Sequence, residues 1–289
     1  MPHQNQFLSL LIVLGLWNVP QTVMGQALVP YTLPLDADQL TQTGQGLIEE
    51  AAQLTRLEQY QLAIPRAELA TQLAPQNYQT WALLGSLYMQ VNQVEEGIVA
   101  LEKAQAIDSS NVGVRFVLGE AYFRQKQYRR AIEQLEAGLA EKPDVPGALF
   151  DLGNAYFMLG ELDEAIAQYE EAFKQEESLW PAINNVGLVK YEMGDIDGAI
   201  EKWQAALDID QEAAEPLLAV AVALYTKGDT EEGLAMGETA LRLDRRYADL
   251  QFLKDNLWGT QLLKDAEAFL ATPRIQETIA QVGGVPERR

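Results

Sequence analysis

An all-α solenoid of stacked helical hairpins is the fold that this 289-residue sequence predicts, and two observations predict it. Residues 146–179 place apolar side chains at helical spacing on both sides of a turn at residues 160–163. The same stretch matches the rest of the chain when it is shifted by about 34 residues. Two helices cannot bury their apolar faces alone, so the repeats must stack on one another.

A small residue followed by an aliphatic one marks the repeat most clearly. The pair occurs in one register as Ala63-Ile64, Gly97-Ile98, Ala131-Ile132, Ala165-Ile166, Ala199-Ile200 and Gly233-Leu234. Small residues let two crossing helices approach to about 8–10 Å, because they make room for a large side chain of the other helix. We therefore expect Gly153, from a second row of small residues, to face the second helix of its own hairpin near Ala165.

The residues of one repeat carry a family resemblance. The stretch from Trp81 to Tyr88 reads WALLGSLY and is followed by Gly97, Leu101 and Ala104, which resembles the tetratricopeptide repeat (TPR). The resemblance implies a right-handed superhelix of six hairpins over residues 44–247, followed by a capping helix. The six repeats are 44–77, 78–111, 112–145, 146–179, 180–213 and 214–247.

Departures from the repeat pattern predict local differences. Pro65 lies in the second helix of the first repeat, which should begin late or kink there. Gly237 stands where a large apolar residue is usual, so the last repeat should pack loosely at that position. Residues 248–289 should form a capping helix over roughly 248–264, a short helix that begins at Pro273, and a tail.

The first 27 residues read as a signal peptide or an N-terminal membrane anchor. Residues 7–17 form a continuous apolar run that is short for a bilayer span, and a cleavage site is plausible after Ala27. No Lys or Arg precedes the run, which is atypical of a signal peptide. We expect an exported protein (periplasm or thylakoid lumen) or a membrane-anchored one, with residues 28–43 as an extended linker.

Composition excludes several classes of function. The net charge of −21 repels phosphate backbones, so nucleic acid is not expected as a partner. The chain has no Cys, and its single His is His3, so most hydrolytic triads and most zinc sites cannot be built in the repeats. We predict that the protein is not an enzyme, and we predict no cofactor, metal or small-molecule substrate.

The TPR resemblance implies that one face of each first helix lines a concave groove that binds other proteins. This face is rotated by one residue from the face that packs inside the hairpin. The candidate protein-binding residues on it are Phe116, Glu120, Phe123, Phe150, Asn154, Phe157, Asn184, Asn185, Leu188, Tyr191 and Tyr225. Aromatic rings bind apolar side chains, and Asn amides donate to and accept from a peptide backbone.

A packing interpretation competes with the binding interpretation of these residues. Phe116 and Phe150 could equally fill space between helices. For Asn154, Asn184 and Asn185 we favour the groove, because buried amides need partners that apolar packing does not supply.

The predicted function is a non-enzymatic scaffold or assembly factor that holds a peptide or protein segment in the concave groove. The alternative is an envelope structural protein that uses its convex surface. The stretch at residues 180–200 and Trp258 resemble TPR proteins that assemble photosynthetic membrane complexes in cyanobacteria and plastids, which implies a thylakoid setting.

Overall fold

The computed structural model describes residues 36–283, and within that range the chain is helical, with no strand. Twelve helices form six consecutive hairpins. They are α1 (Ala37–Arg56) with α2 (Tyr60–Leu73), α3 (Tyr78–Gln90) with α4 (Val94–Ile107), α5 (Val112–Arg124) with α6 (Tyr128–Glu141), α7 (Pro146–Leu159) with α8 (Leu162–Gln175), α9 (Trp180–Glu192) with α10 (Ile196–Ile209), and α11 (Ala214–Lys227) with α12 (Thr230–Leu243). Each second helix packs against the first helix of the next hairpin. The predicted all-α solenoid is therefore confirmed.

Each inner hairpin is held by a glycine that faces a large side chain. A Cβ atom added to Gly153 would lie 2.6 Å from the ring of Tyr169, which is fully buried. Gly153 thus faces the second helix of its hairpin as predicted, one helical turn beyond Ala165. The same relationship recurs in the pairs Gly85–Leu101, Gly119–Leu135 and Gly187–Trp203. The large partner always lies 16 positions after the glycine, so the row of glycines predicts where each aromatic or leucine inserts.

The turn inside each hairpin contains one residue in the left-handed backbone region. Its φ is 57° at Glu58, 60° at Asn92 and 60° at Lys126. The equivalent positions in the last three hairpins are Gly160, Gly194 and Gly228, with φ of 78°, 84° and 103°. Glycine adopts this conformation without steric cost and Asn tolerates it, so Glu58 and Lys126 carry strain that the glycines of the last three turns do not.

The N-terminal end of the array differs from the prediction. Helix α1 begins at Ala37, so the extended linker expected over 28–43 is wrong from residue 37 onward. Leu40, Gly44 and Ala51 continue the helical spacing, and Gly44 packs directly on Ala74 of the first turn after α2. The late start expected for α2 is also wrong, because α2 begins at Tyr60 and runs through Pro65. Pro65 is exposed and removes only one intrahelical hydrogen bond there.

The C-terminal end is also rearranged. The single capping helix expected over roughly 248–264 is replaced by a 3₁₀ helix (Arg245–Ala248), α13 (Leu250–Asp255) and α14 (Thr260–Leu270). The helix is interrupted between α13 and α14 because Leu257 adopts a φ of 65° and the Trp258 N–H donates a hydrogen bond to the Leu253 carbonyl. A helix does begin at Pro273, namely α15 (Pro273–Gly283), which packs on α12.

No helix within residues 36–283 is long and apolar enough to cross a membrane. The predicted signal or anchor at residues 1–27, including the apolar run 7–17, lies outside the described residues. The same holds for the part of the predicted linker before residue 36 and for the last six residues of the predicted tail.

Candidate protein-binding surface

The concave face of the last two hairpins is covered by the chain's own helix α14. This helix packs against both α9 and α11. The hydroxyl of Tyr191 in α9 donates to a carboxylate oxygen of Asp265 over 2.8 Å. The ring of Tyr225 in α11 meets the ring of Phe269 edge-on, with centroids 5.4 Å apart. Two residues predicted to bind a partner therefore bind a segment of the same chain.

Glu192 fixes the beginning of α14. Its carboxylate accepts hydrogen bonds from the backbone N–H of Gln261 at 3.0 and 3.1 Å and of Leu262 at 3.0 Å. The N-cap residue of α14 is Gly259, which has no side chain to cap the helix. A carboxylate at a helix N-terminus satisfies free N–H groups and interacts favourably with the helix dipole. Glu192, the last residue of α9, thus caps α14 in place of the side-chain cap that Gly259 cannot provide.

The ring of Phe269 in α14 packs against Gly237 of the last hairpin. A Cβ atom added to Gly237 would clash with the ring of Phe269, and Ile275 lies beside it. Phe269 and Ile275 are fully buried. The loose packing predicted at Gly237 is therefore wrong, because the large side chain that the repeat lacks is supplied by α14 and α15.

The three predicted asparagines form a buried chain of hydrogen bonds. Asn185 donates to Asn154 over 3.1 Å, and Asn184 donates to Asn185 over 3.1 Å. The hydroxyl of Tyr169 donates to the same Asn154 oxygen over 2.7 Å. Neighbouring side chains supply these hydrogen bonds, so the expectation that the amides need a partner from outside is corrected for them. Within the described residues, only the Oδ1 atom of Asn184 in this cluster is buried without a hydrogen bond.

Glu215 extends this buried polar region and was not among the predicted site residues. It is 9% exposed, and its carboxylate accepts a hydrogen bond from the indole N–H of Trp258 over 3.0 Å. Burial raises the pKa of Glu215 to about 7, while hydrogen bonds from Trp258, Asn184 and Tyr247 oppose the rise. Sequence reasoning missed it because its contacts come from residues more than 30 positions away in the chain.

The aromatic residues nearer the middle of the array are only partly covered. Phe116 packs its ring on Gly138 of α6, and Phe150 packs on Tyr169 with centroids 5.7 Å apart. These two residues therefore have the packing role that competed with the binding interpretation. The ring centroids of Phe123 and Tyr128 lie 5.4 Å apart, and both Phe123 and Phe157 remain half-buried.

Two acidic residues lie between α5 and α7 on the same side of the array. The Glu120 side chain is 42% exposed and pairs with Arg124 over 2.6 Å. Asp151 is half-buried. Burial raises the pKa of Asp151 to about 7, the charge of Glu120 raises it further, and Arg124 opposes both. Within residues 36–283, no further helix packs across α5 and α7 as α14 does across α9 and α11.

The predicted residues thus separate into a covered and an open set. Asn184, Leu188 and Tyr191 are buried, and Tyr225 is half-buried against α14. The expectation that these four line an open groove is corrected, because Tyr191 and Tyr225 contact α14 and Asn184 and Leu188 are buried within the array. Glu120, Phe123, Phe150 and Phe157 keep exposed surface. No group of His, Cys, Asp and Glu within the described part of the chain could hold a metal ion.

The stacked hairpins with a concave face define a helical-repeat protein of the type that is generally a non-enzymatic scaffold for protein–protein interaction. Two family profiles match the sequence. The TPR domain of cytochrome c-type biogenesis protein H matches residues 37–179, and a TPR repeat profile matches residues 187–228. The chain is a tetratricopeptide repeat protein.

Solved structures share this fold. The MamA protein is 24% identical with a TM-score of 0.55, over 60% of this chain and 95% of that chain. The PilF protein of Pseudomonas aeruginosa is 16% identical with a TM-score of 0.60, over 76% and 98%. YrrB, described as a TPR protein with an unusual peptide-binding site, is 19% identical with a TM-score of 0.52, over 66% and 97%. No curated protein matches the sequence.

Proposed function

We propose that this protein is a non-enzymatic scaffold or assembly factor that holds a segment of another protein on the open concave surface of α5 and α7. The observation that carries the proposal is the division of the concave face. The section on α9 and α11 is filled by a helix of the same chain, whereas Phe123, Phe157 and Glu120 on the adjacent section keep exposed surface. The peptide-binding site described for YrrB, which has the same fold, supports a protein segment as the ligand.

The proposal includes a location outside the cytoplasm or at a membrane. The apolar run at residues 7–17 supports it, because a run of that length suits a signal peptide or an anchor. The match to the TPR domain of a cytochrome c-type biogenesis protein supports an assembly role, and the thylakoid is one membrane at which such a role would apply. N-terminal sequencing of the mature protein tests this part. A first residue at or near position 28 supports export with cleavage, and an intact N-terminus in the soluble cytoplasmic fraction contradicts the location.

A photocrosslinking amino acid placed at single positions in the cell tests the surface. We expect position 157, on the open surface, to crosslink to a partner protein. Position 191, which faces α14, is the matched control on the covered section and should give crosslinks only within the chain. A partner that crosslinks equally from both positions contradicts the division of the face.

The second candidate function uses the opposite surface. Leu62 and Leu69 of α2 and Val99 of α4 are 53%, 44% and 54% exposed, which is a high exposure for large apolar side chains on neighbouring helices. They lie on the second helices of the first two hairpins, whereas the surface proposed above lies on the first helices of the third and fourth hairpins. A partner that crosslinks from position 62 or 69 and not from position 157 favours this structural role over the groove.

A further inference from the structure

Two residues from neighbouring repeats face each other at two places in the array. Both pairs occupy the same two repeat positions, but one pair consists of amides and the other of carboxyl groups. Asn185 of α9 donates to Asn154 of α7 over 3.1 Å. One repeat earlier in the chain, 34 residues before Asn185 and Asn154, the equivalent positions hold Asp151 of α7 and Glu120 of α5. The charges of these two residues act on each other. Two amides can pair because each has a donor and an acceptor, whereas two ionised carboxylates have only acceptors. When both carboxyl groups are ionised, the second pair therefore has no donor of its own.

The chain does not supply that donor to Asp151. None of the described residues donates a hydrogen bond to its carboxyl group, although the side chain is half-buried. The nearest cation, Arg124, is already engaged by Glu120 at 2.6 Å and by the carbonyl oxygen of Met89 at 3.2 Å. Burial raises the pKa of Asp151 to about 7, which agrees with a carboxyl group that lacks a partner.

The adjacent section of the same surface shows what kind of segment fits. There α14 lies on α9 and α11 with Leu262, Ala266 and Phe269 buried and with Gln261 and Glu267 exposed. An amphipathic helix therefore occupies the concave face where it is covered. The surface of α5 and α7 continues this face with the same repeat spacing, and it offers Phe123 and Phe157 as apolar contacts.

We propose that the open concave surface of α5 and α7 binds an amphipathic helix of a partner protein and that this helix places a lysine or arginine against Asp151 and Glu120. The apolar side of the helix lies on Phe123 and Phe157. This inference rests on the proposed function and adds the chemistry of the partner. Lys and Arg supply N–H donors and a positive charge, so they satisfy both needs of the carboxylate pair. An acidic helix would place a third negative charge in the same space and is disfavoured.

Selection of a phage-displayed library of random 16-residue peptides on the intact protein tests the inference. The selection is run in parallel on wild type, on Asp151→Asn and on Glu133→Gln. Asp151→Asn keeps the shape and removes the charge. Glu133→Gln removes the same charge from the exposed side of α6 and controls for the general acidity of the chain. Thermal melts of each variant verify that it is folded.

We expect peptides from wild type and from Glu133→Gln to be equally enriched in Lys and Arg, and peptides from Asp151→Asn to lose that enrichment. A peptide selected on wild type should bind Asp151→Asn roughly tenfold more weakly, since a hydrogen bond to a charged group contributes about that factor or more. The same peptide should keep its affinity for Glu133→Gln. Equal basic enrichment on wild type and Asp151→Asn overturns the inference.

A separate variant distinguishes failure of the inference from failure of the proposed function. Phe123→Ala/Phe157→Ala removes the apolar contacts and leaves both acidic residues in place. Selected peptides that lose affinity for this variant but show no basic preference overturn the inference alone. Selected peptides that bind this variant as tightly as wild type, or a library that yields no binder, overturn the proposed surface itself.

Discussion

The indole N–H of Trp258 donates to the buried carboxylate of Glu215 over 3.0 Å, and this contact joins the chain leading into α14 to the first turn of α11. The groups that face Glu215 are Trp258, Asn184 of α9 and Tyr247 of the 3₁₀ helix, and none of these is a cation. A carboxylate without a cation in a buried site favours its neutral form. Folding of the region around Glu215 is therefore coupled to proton binding by its carboxyl group.

The first prediction concerns the pH dependence of stability. The pKa of Glu215 rises from 4.5 to about 7 on folding, so the folded state holds the proton more tightly. Stability from this group is therefore greatest below about pH 4.5, falls as pH rises towards 7, and reaches its minimum above 7. The contribution of Glu215 to the free energy of unfolding changes by about 3 kcal/mol across this range. We expect Glu215→Gln to unfold with a shallower pH dependence between pH 5.5 and 8.5, measured by urea titration. Parallel pH profiles of the two proteins would contradict the assignment.

The second prediction concerns the cap on α14. Glu192→Ala removes the acceptor for the N–H groups of Gln261 and Leu262, which should cost about 1–2 kcal/mol, in the range of N-cap losses. Hydrogen exchange should increase at the first turn of α14. Glu201→Ala, an exposed glutamate of α10 with no described hydrogen bond, is the matched control and should leave exchange in α14 unchanged. Unchanged exchange in both variants would show that α14 does not depend on this cap.

The third prediction concerns the glycine–aromatic crossings. Gly153→Leu would insert its side chain into the ring of Tyr169 and should lower the free energy of unfolding by about 1–3 kcal/mol. Gly147→Leu is the control, because no atom lies within 4 Å of a Cβ built at that exposed position. Thermal or urea unfolding measures both. Equal effects of the two substitutions would mean that the crossing tolerates a large side chain.

The fourth prediction concerns the hairpin turns. Gly160→Ala places a Cβ at a φ of 78° and should destabilise the protein by about 1 kcal/mol. Lys126→Gly at the equivalent turn, with a φ of 60°, should stabilise it by up to about 1 kcal/mol, less the entropy that glycine loses on folding. Lys142→Gly, at a φ of −138°, is the control and should give no gain. A gain at position 142 equal to that at 126 would rule out backbone strain as the cause.

The repeat architecture was predictable from sequence because it depends on local periodicity. The row of small residues, the turn glycines and the helical spacing all recur with one period. Each glycine of the row in the inner hairpins packs against a side chain of the same hairpin, as Gly153 does against Tyr169. Such contacts need no knowledge of distant segments. For the same reason the face carrying Phe123 and Phe157 could be assigned from position alone.

The section of the surface that α14 covers was not predictable in this way. Its occupant contacts residues across long separations, such as Tyr191 with Asp265 and Glu192 with Gln261. The repeat pattern ends before α14, so periodicity gives no register for where that helix lies. One signal was available: Gly237 lacked the large residue that the pattern requires, and a missing side chain in one segment implies that another segment fills the space.

The chain's own α14 fills the section of the concave face on α9 and α11, and we propose that a partner segment occupies the section on α5 and α7. Hydrogen exchange of the protein with and without a selected peptide tests it most directly. We expect added protection in α5 and α7, with exchange in α9, α11 and α14 unchanged. Added protection in α9 and α11 together with faster exchange in α14 would instead show that the partner displaces this helix and does not bind beside it.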